Sequence, residues 1–285
     1  MRLAGAPISW GVCEVPGWGI QLPADRVLGQ MSALDLGATE AGPPGFLPAD
    51  ASAARSLLDR HRLRLIGGFV TGVLHDPSVR AAQLAEIERQ AAWLASLGAE
   101  VLVLAAATGR TGYSAAAEID DRAWSALFAA LDEVERIASR HGLSLAVHPH
   151  FGTVIERAHH VERFLSGCSH GLCLDTGHIA LGGADPVRVA AIAGHRVRHV
   201  HLKDVDPELA ASMRAGRLDY APAVRRGLYR ALGDGDARVG EVLSLLRAGG
   251  YAGWHVLEQD VMLDAAPDGI PAGIERSLAF ARAHG

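Results

Sequence analysis

The feature that most constrains this chain is a phrase that recurs along it: an amphipathic helical stretch, a glycine, then a short aliphatic run. It occurs as Met31-Ser32-Ala33-Leu34-Asp35-Leu36-Gly37 before Ala38-Thr39-Glu40, and as Trp93-Leu94-Ala95-Ser96-Leu97-Gly98 before Val101-Leu102-Val103-Leu104. His141-Gly142 likewise precedes Leu143 to Val147, and Gly249-Gly250 precedes Trp254 to Leu257. Glycine suits the left-handed residue that ends a helix, and short aliphatic runs without alternation mark strands buried on both faces. The repeating unit is therefore βα.

Strand candidates fall at 3–8, 38–40, 63–69, 101–105, 144–148, 171–174, 197–202 and 254–257, eight in all. Helix starts are signalled by Pro23-Ala24-Asp25, Asp50, Pro77-Ser78 and Asp120-Asp121. No linker or low-complexity stretch divides the 285 residues, and no glycine-rich phosphate fingerprint follows the first strand. A single (β/α)8 TIM barrel over 1–285 is expected in preference to a doubly wound sheet. The spacing breaks once, between His201 and Glu258, where 206–238 is rich in Arg, Gly and Pro. A loop this long inside a compact domain is more often functional than idle, so it is expected to form a lid over the strand ends.

Charge and composition exclude several partners. A formal net charge of -5 supplies no basic field for phosphate backbones or anionic lipid, so no nucleic acid and no membrane partner is expected. The N-terminus lacks the apolar stretch and cleavage site of a signal peptide, and the longest apolar run, Val101 to Ala107, falls far short of the roughly 20 residues of a spanning helix. A cytoplasmic location is expected. The three cysteines, Cys13, Cys168 and Cys173, are odd in number and form no CxxC pair, which argues against a disulfide framework or a cysteine zinc site. Assembly as a homo-oligomer stays open.

In such a barrel the C-terminal ends of the strands form the reactive face. Those ends carry Trp10, Glu40, His148 and His150, Asp175 and His178, His201 and Lys203, and Glu258. Asp175 ends the strand Leu172-Cys173-Leu174, where capping of the next helix is the plainer alternative. His201 and Lys203 alternate with Leu202 and so share one side of their strand; alone, His201 would more often be a hydrogen-bonded core histidine. Glu258 again follows an aliphatic strand directly, and a buried carboxylate needs a cation or a raised pKa.

Three such residues on successive strand ends point to a shared metal ion, and imidazole with carboxylates suits manganese, cobalt or zinc rather than calcium. A fourth ligand should come from strand five. Glu156 and His148 are the two candidates, and Glu156 could equally be the first-turn acid that favours a helix N-terminus. Trp10, Trp18 and Phe46 could wall a sugar ring, with Trp10 the stronger choice and end-of-barrel packing the alternative for the others. Cys13 has no evident activating base.

At this level the chain resembles the inosose dehydratase group of the sugar isomerase and epimerase superfamily of xylose-isomerase-like barrels, over nearly its whole length. The opening Ala6-Pro7-Ile8-Ser9-Trp10-Gly11-Val12-Cys13-Glu14-Val15-Pro16-Gly17-Trp18-Gly19 and the run Thr39 to Pro48 carry that likeness most specifically. Asp175-Thr176-Gly177-His178, His199-Val200-His201-Leu202-Lys203-Asp204-Val205, Leu232-Gly233-Asp234-Gly235 and Gly253 to Asp260 support it. One departure stands out: the group typically carries three consecutive histidines in strand five, and here the middle one is Pro149.

The resemblance implies Mn2+ or Co2+, with Mg2+ or Zn2+ as alternatives, held by Asp175, His201, Glu258 and a strand-five residue such as Glu156. It implies a polyhydroxylated ketone, a small-molecule polyol or keto-sugar, as substrate. Dehydration would remove a proton α to the carbonyl and expel the β-hydroxyl. Glu156 or His150 would act as base, His178 or His148 as acid, and Lys203 as a second positive contact, with Glu258 at the reacting centre and Trp10, Glu40 and His148 against the substrate. An aldose-ketose isomerase or epimerase begins with the same proton abstraction and is the alternative chemistry. A non-catalytic, metal-bound sugar-binding barrel is the alternative of another class, and an endonuclease relative fits poorly with the negative charge.

Overall fold

In the computed structural model, which describes residues 1–110 and 118–285, the aliphatic runs are strands of one closed parallel barrel. They are β1 (Arg2–Gly5), β2 (Ala38–Glu40), β3 (Arg64–Gly72), β4 (Val101–Ala106), β5 (Ser144–Val147), β6 (Leu172–Asp175) and β7 (Val197–Leu202), closed by β10 (Trp254–Leu257). The order around the barrel is β1, β10, β7, β6, β5, β4, β3, β2. A separate antiparallel pair, β8 (Asp204–Val205) with β9 (Tyr229–Arg230), lies between β7 and β10. No helix among the described residues is long and apolar enough to cross a membrane.

Two apolar layers separate by face. Toward the helices, the buried Leu, Val and Ile side chains of the strands join the helical residues in one large cluster that includes Leu102, Leu104, Leu145, Leu174, Val200 and Leu202. Inside the barrel the residues are smaller: Ala4, Ala6, Ala38, Ile66 and Val256 on one side, Val101, Val103, Ala146 and Cys173 on the other. Trp254 fills the N-terminal end of the lumen, and the Arg2 guanidinium lies 4.0 Å from its ring centre. An apolar plug at one end leaves the polar side chains of the other end above a dry floor.

Local chemistry sets the boundaries. β1 stops at Gly5, three residues before the expected Ile8, because Pro7 opens a 3-10 turn over Pro7–Trp10 and cannot donate to a sheet. Asp50 and Asp120 accept from the amides of Ala53 and Ala123, each at 2.8 Å, and start the helices Ala51–Arg60 and Asp121–Arg140. The helix expected from Pro77-Ser78 begins at Arg80, since Asp76 ties the Ser78 amide and hydroxyl into a preceding turn. The 206–238 stretch is more ordered than a loop, with helices Pro207–Arg214 and Tyr220–Arg225 on either side of a turn.

Candidate functional site

The ends of β5, β6, β7 and β10 bring four acceptor atoms together. Register places Asp175 beside His201 and His201 beside Val256, so Glu258 follows two residues above that level. His201 Nδ1 lies 3.5 Å from Asp175 Oδ2, 3.2 Å from Glu258 Oε2 and 3.1 Å from His148 Nε2, and His148 Nε2 is 3.4 Å from Asp175 Oδ2. Asp175, His201 and Glu258 form a group able to hold a metal ion, with ligand atoms within 4.8 Å of one another.

Asp175 serves two ends at once. Its Oδ1 accepts the His178 amide at 2.7 Å, capping the helix Thr176–Leu181, while its buried Oδ2 has no hydrogen-bond donor. The capping alternative is therefore true of one oxygen and leaves the other for the cluster. An orphaned, fully buried carboxylate oxygen beside two imidazole nitrogens and a second carboxylate is the donor set that a divalent cation would satisfy.

The ring of His201 is oriented from behind. Its Nε2 lies 3.1 Å from Glu40 Oε1, and His199 Nε2 lies 2.8 Å from the same oxygen. The contact of Nε2 with Glu40 turns Nδ1 toward the cluster, the nitrogen that would carry the lone pair of the neutral, metal-binding ring. Burial works against charge on Glu40, yet the two imidazoles hold it well below the usual carboxylate range. His201 is likewise pushed down by burial and more than compensated by surrounding anions, Glu258 and Glu40 among them, which raise it well above the usual imidazole value. Glu258, opposed by burial, is brought down to about 2 by His201 and Lys203.

Asp175-Thr176-Gly177-His178 also cradles Lys203. Thr176 Oγ1 accepts the Lys203 amide at 2.9 Å and donates to its carbonyl at 2.6 Å. A Cβ on Gly177 would stand 2.6 Å from Lys203 Cγ, so glycine is required for the lysine stem to pass. Lys203 Nζ ends 2.8 Å from Glu258 Oε2, 2.8 Å from Asp260 Oδ1 and 3.2 Å from His178 Nε2. Burial alone would lower Lys203, but the carboxylates of Asp260, Glu258 and Asp175 raise it well above its ordinary value.

His201, Lys203, Glu258 and Asp260 line a cavity of about 260 Å³ together with His148, His150, Glu40, Trp18, Phe69 and Tyr220. The size and the mixture of apolar wall and few polar groups suit a small polar molecule. His150 Nδ1 lies 2.7 Å from the Phe151 carbonyl, which fixes the proton on Nδ1; burial and neighbouring His148 push its pKa down to about 3.

Several sequence candidates lie elsewhere. Glu156 is not on the cavity wall: its Oε2 accepts the Gly152 amide at 2.7 Å, its Oε1 is 3.9 Å from Arg157 Nε, and burial raises its pKa. Nor is it a first-turn acid, because the following helix, Ala158–Gly167, has Arg157 at its N-cap position and Glu156 lies before it. Trp10 is 1% exposed and its indole donates to Gln30 Oε1 at 2.8 Å, so it packs behind the cavity, and Trp18 takes the wall instead. His178 stands behind Lys203. Cys13 lines the cavity, but burial pushes its thiol far up, away from thiolate.

His199, Tyr220, Tyr229 and Asp260 belong to this network without having been singled out. His199 and Asp260 were within reach of strand alternation, being two residues from His201 and Glu258 respectively. The tyrosines come from a stretch with no period to read.

A family model for the xylose isomerase-like TIM barrel matches residues 30–284. The rhizopine catabolism protein MocC of Rhizobium meliloti is 31% identical over 268 residues, spanning 91% of this chain and 82% of that protein. An inosose dehydratase of Geobacillus kaustophilus is 28% identical over 270 residues, spanning 91% and 87% respectively. Among solved structures, the E. coli 3-keto-D-glucoside 4-epimerase YcjR superposes with a TM-score of 0.70 at 16% identity, covering 99% of both chains, a likeness of fold. The barrel, its clustered histidines and carboxylates and these matches together show that the chain belongs to the xylose isomerase-like TIM barrel family.

Proposed function

We propose that this protein is a divalent-metal-dependent dehydratase of an inosose-like, polyhydroxylated cyclic ketone. The observation that carries this reading is the convergence of Asp175 Oδ2, His201 Nδ1, Glu258 Oε2 and His148 Nε2 beside one cavity, with an ammonium next to them. The similarity to inosose dehydratases supports the choice of substrate. His148 fits the fourth ligand position better than Glu156, whose carboxylate is engaged by Gly152.

Asp175, His201, Glu258 and His148 would hold Mn2+ or Co2+, which would supply positive charge to the ketone oxygen as negative charge develops there. The protein's own groups move the protons. His150 donates Nδ1–H to Phe151 and so carries its lone pair on Nε2, the form a general base needs to take the proton α to the ketone. As the electron pair of that C–H bond becomes the new C=C bond, the β C–O bond breaks and the departing hydroxyl takes a proton from the Lys203 ammonium, leaving as water. The enol so formed tautomerises to a diketone. Lys203 is preferred to His178 for this role because it lines the cavity and His178 stands behind it. Phe69 and Trp18 form the apolar walls.

Metal-loaded protein incubated with scyllo-inosose is expected to release water and accumulate the diketone. A folded, metal-bound enzyme that yields no diketone contradicts the reading, and an epimer formed without loss of water would assign the site to epimerisation.

A further inference from the structure

Lys203 reaches into the cluster that fits a divalent cation. Its Nζ lies 2.8 Å from Glu258 Oε2 and 3.6 Å from Asp175 Oδ2, two of the oxygens that converge there. An ammonium and a metal ion compete for the same oxygens, so the site works only if the lysine has somewhere else to put its charge. Asp260 offers that place. Its Oδ1 is 2.8 Å from Nζ, and Asp260 belongs to none of the metal-capable groups among the described residues.

The dock is held in position. Asp260 Oδ2 accepts the Tyr220 hydroxyl at 2.7 Å, and the Tyr220 and Tyr229 hydroxyls are 3.0 Å apart. The Tyr229 ring centre lies 4.9 Å from Nζ, close enough for cation–π attraction. None of Lys203, Asp260, Tyr220 and Tyr229 is more than 6% exposed, so the ammonium depends on its carboxylate partners for compensation. The Trp18 indole pins the next carbonyl, Val261 O, at 2.9 Å.

We infer that Asp260, fixed by Tyr220, is the counter-carboxylate that holds the Lys203 ammonium beside the metal position, and thereby sets the affinity of the site for a divalent cation. The inference rests on the metal-site reading above. Without the Asp260 charge, the anionic partners left to Lys203 are Glu258 and Asp175, and the lysine becomes a competitor of the metal.

Mn2+ binding isotherms on the full chain test this without any substrate. Asp260→Asn is expected to weaken Mn2+ binding by about tenfold or more, Lys203→Met to bind at least as tightly as wild type, and the double variant to return to within about threefold of Lys203→Met. Tyr220→Phe, which keeps the ring and drops the hydroxyl, is expected to weaken binding by about threefold. An unchanged Kd in Asp260→Asn overturns the inference, as does a double variant no tighter than Asp260→Asn, since a general loss of charge or packing would not be rescued by removing the lysine. Failure of the wild type to bind Mn2+ or Co2+ at all overturns the metal reading and takes the inference with it.

Discussion

At the scale of single residues, the site is explained by which atom of each side chain is already committed. Asp175 spends one oxygen on a helix cap, and His201 directs Nε2 to Glu40, so the atoms remaining toward the cluster are defined before any ligand arrives. This commitment separates the two strand-five candidates. His148→Ala is expected to weaken Mn2+ binding by at least about tenfold, whereas Glu156→Gln, whose amide can still accept from Gly152, is expected to stay within about threefold of wild type; calorimetric titration of both variants checks this. The reverse ranking would restore Glu156 as the ligand.

Asp175, His201 and Glu258 were legible as candidates because each lies at or just beyond the C-terminal end of an aliphatic strand. Glu40 was legible as a strand-end acid but not as the group behind His201, since that contact joins residues far apart in sequence and on different strands. Trp10 misled because a position after strand one says nothing about which way the indole turns.

At the scale of elements, the stretch between β7 and β10 is anchored by one buried side chain. Asp204 Oδ1 accepts the amides of Val205 at 3.0 Å and Ala237 at 2.9 Å, and Oδ2 those of Gly233 at 2.9 Å and Gly235 at 3.1 Å. The glycine of that turn is obligatory, for a Cβ on Gly235 would lie 2.4 Å from Asp204 Oδ1. The Leu232-Gly233-Asp234-Gly235 phrase therefore wraps a carboxylate, and through it the segment that presents Tyr220 and Tyr229 is fastened to β8, just after β7. Asp204→Ala strands four amides and is expected to cost about 3 kcal/mol or more in urea unfolding, with faster proteolysis inside 206–238. A loss below about 1 kcal/mol would show that the amides find other partners. Sequence showed the break in spacing here but not the helices within it, because neither is long enough to display a hydrophobic period.

At the scale of the whole molecule, a barrel closed on all sides buries histidines that must stay neutral. His255, on β10, has a buried Nδ1 without a partner, and burial holds its pKa down at about 4. The unfolded chain takes up this proton near pH 6.5, and the folded chain resists it until about pH 4. Stability is thus fully present above pH 6.5 and falls as pH drops through that window, by on the order of 3 kcal/mol from this group. Urea unfolding between pH 7 and pH 4 is expected to show that decline in the wild type and a shallower one in His255→Gln; equal slopes would contradict it. The barrel itself was legible because its strands repeat with a period, and periodicity survives without any knowledge of contacts.

Anomalous scattering from crystals of the Mn2+-loaded protein measures directly where the metal sits. The expected result is one strong manganese peak within coordination distance of Asp175, His201, Glu258 and His148, with Lys203 Nζ turned toward Asp260. A peak ringed instead by Glu118, His159 and His160, a group of two exposed residues and one buried that is also able to hold an ion, or no peak between β6, β7 and β10, would contradict it.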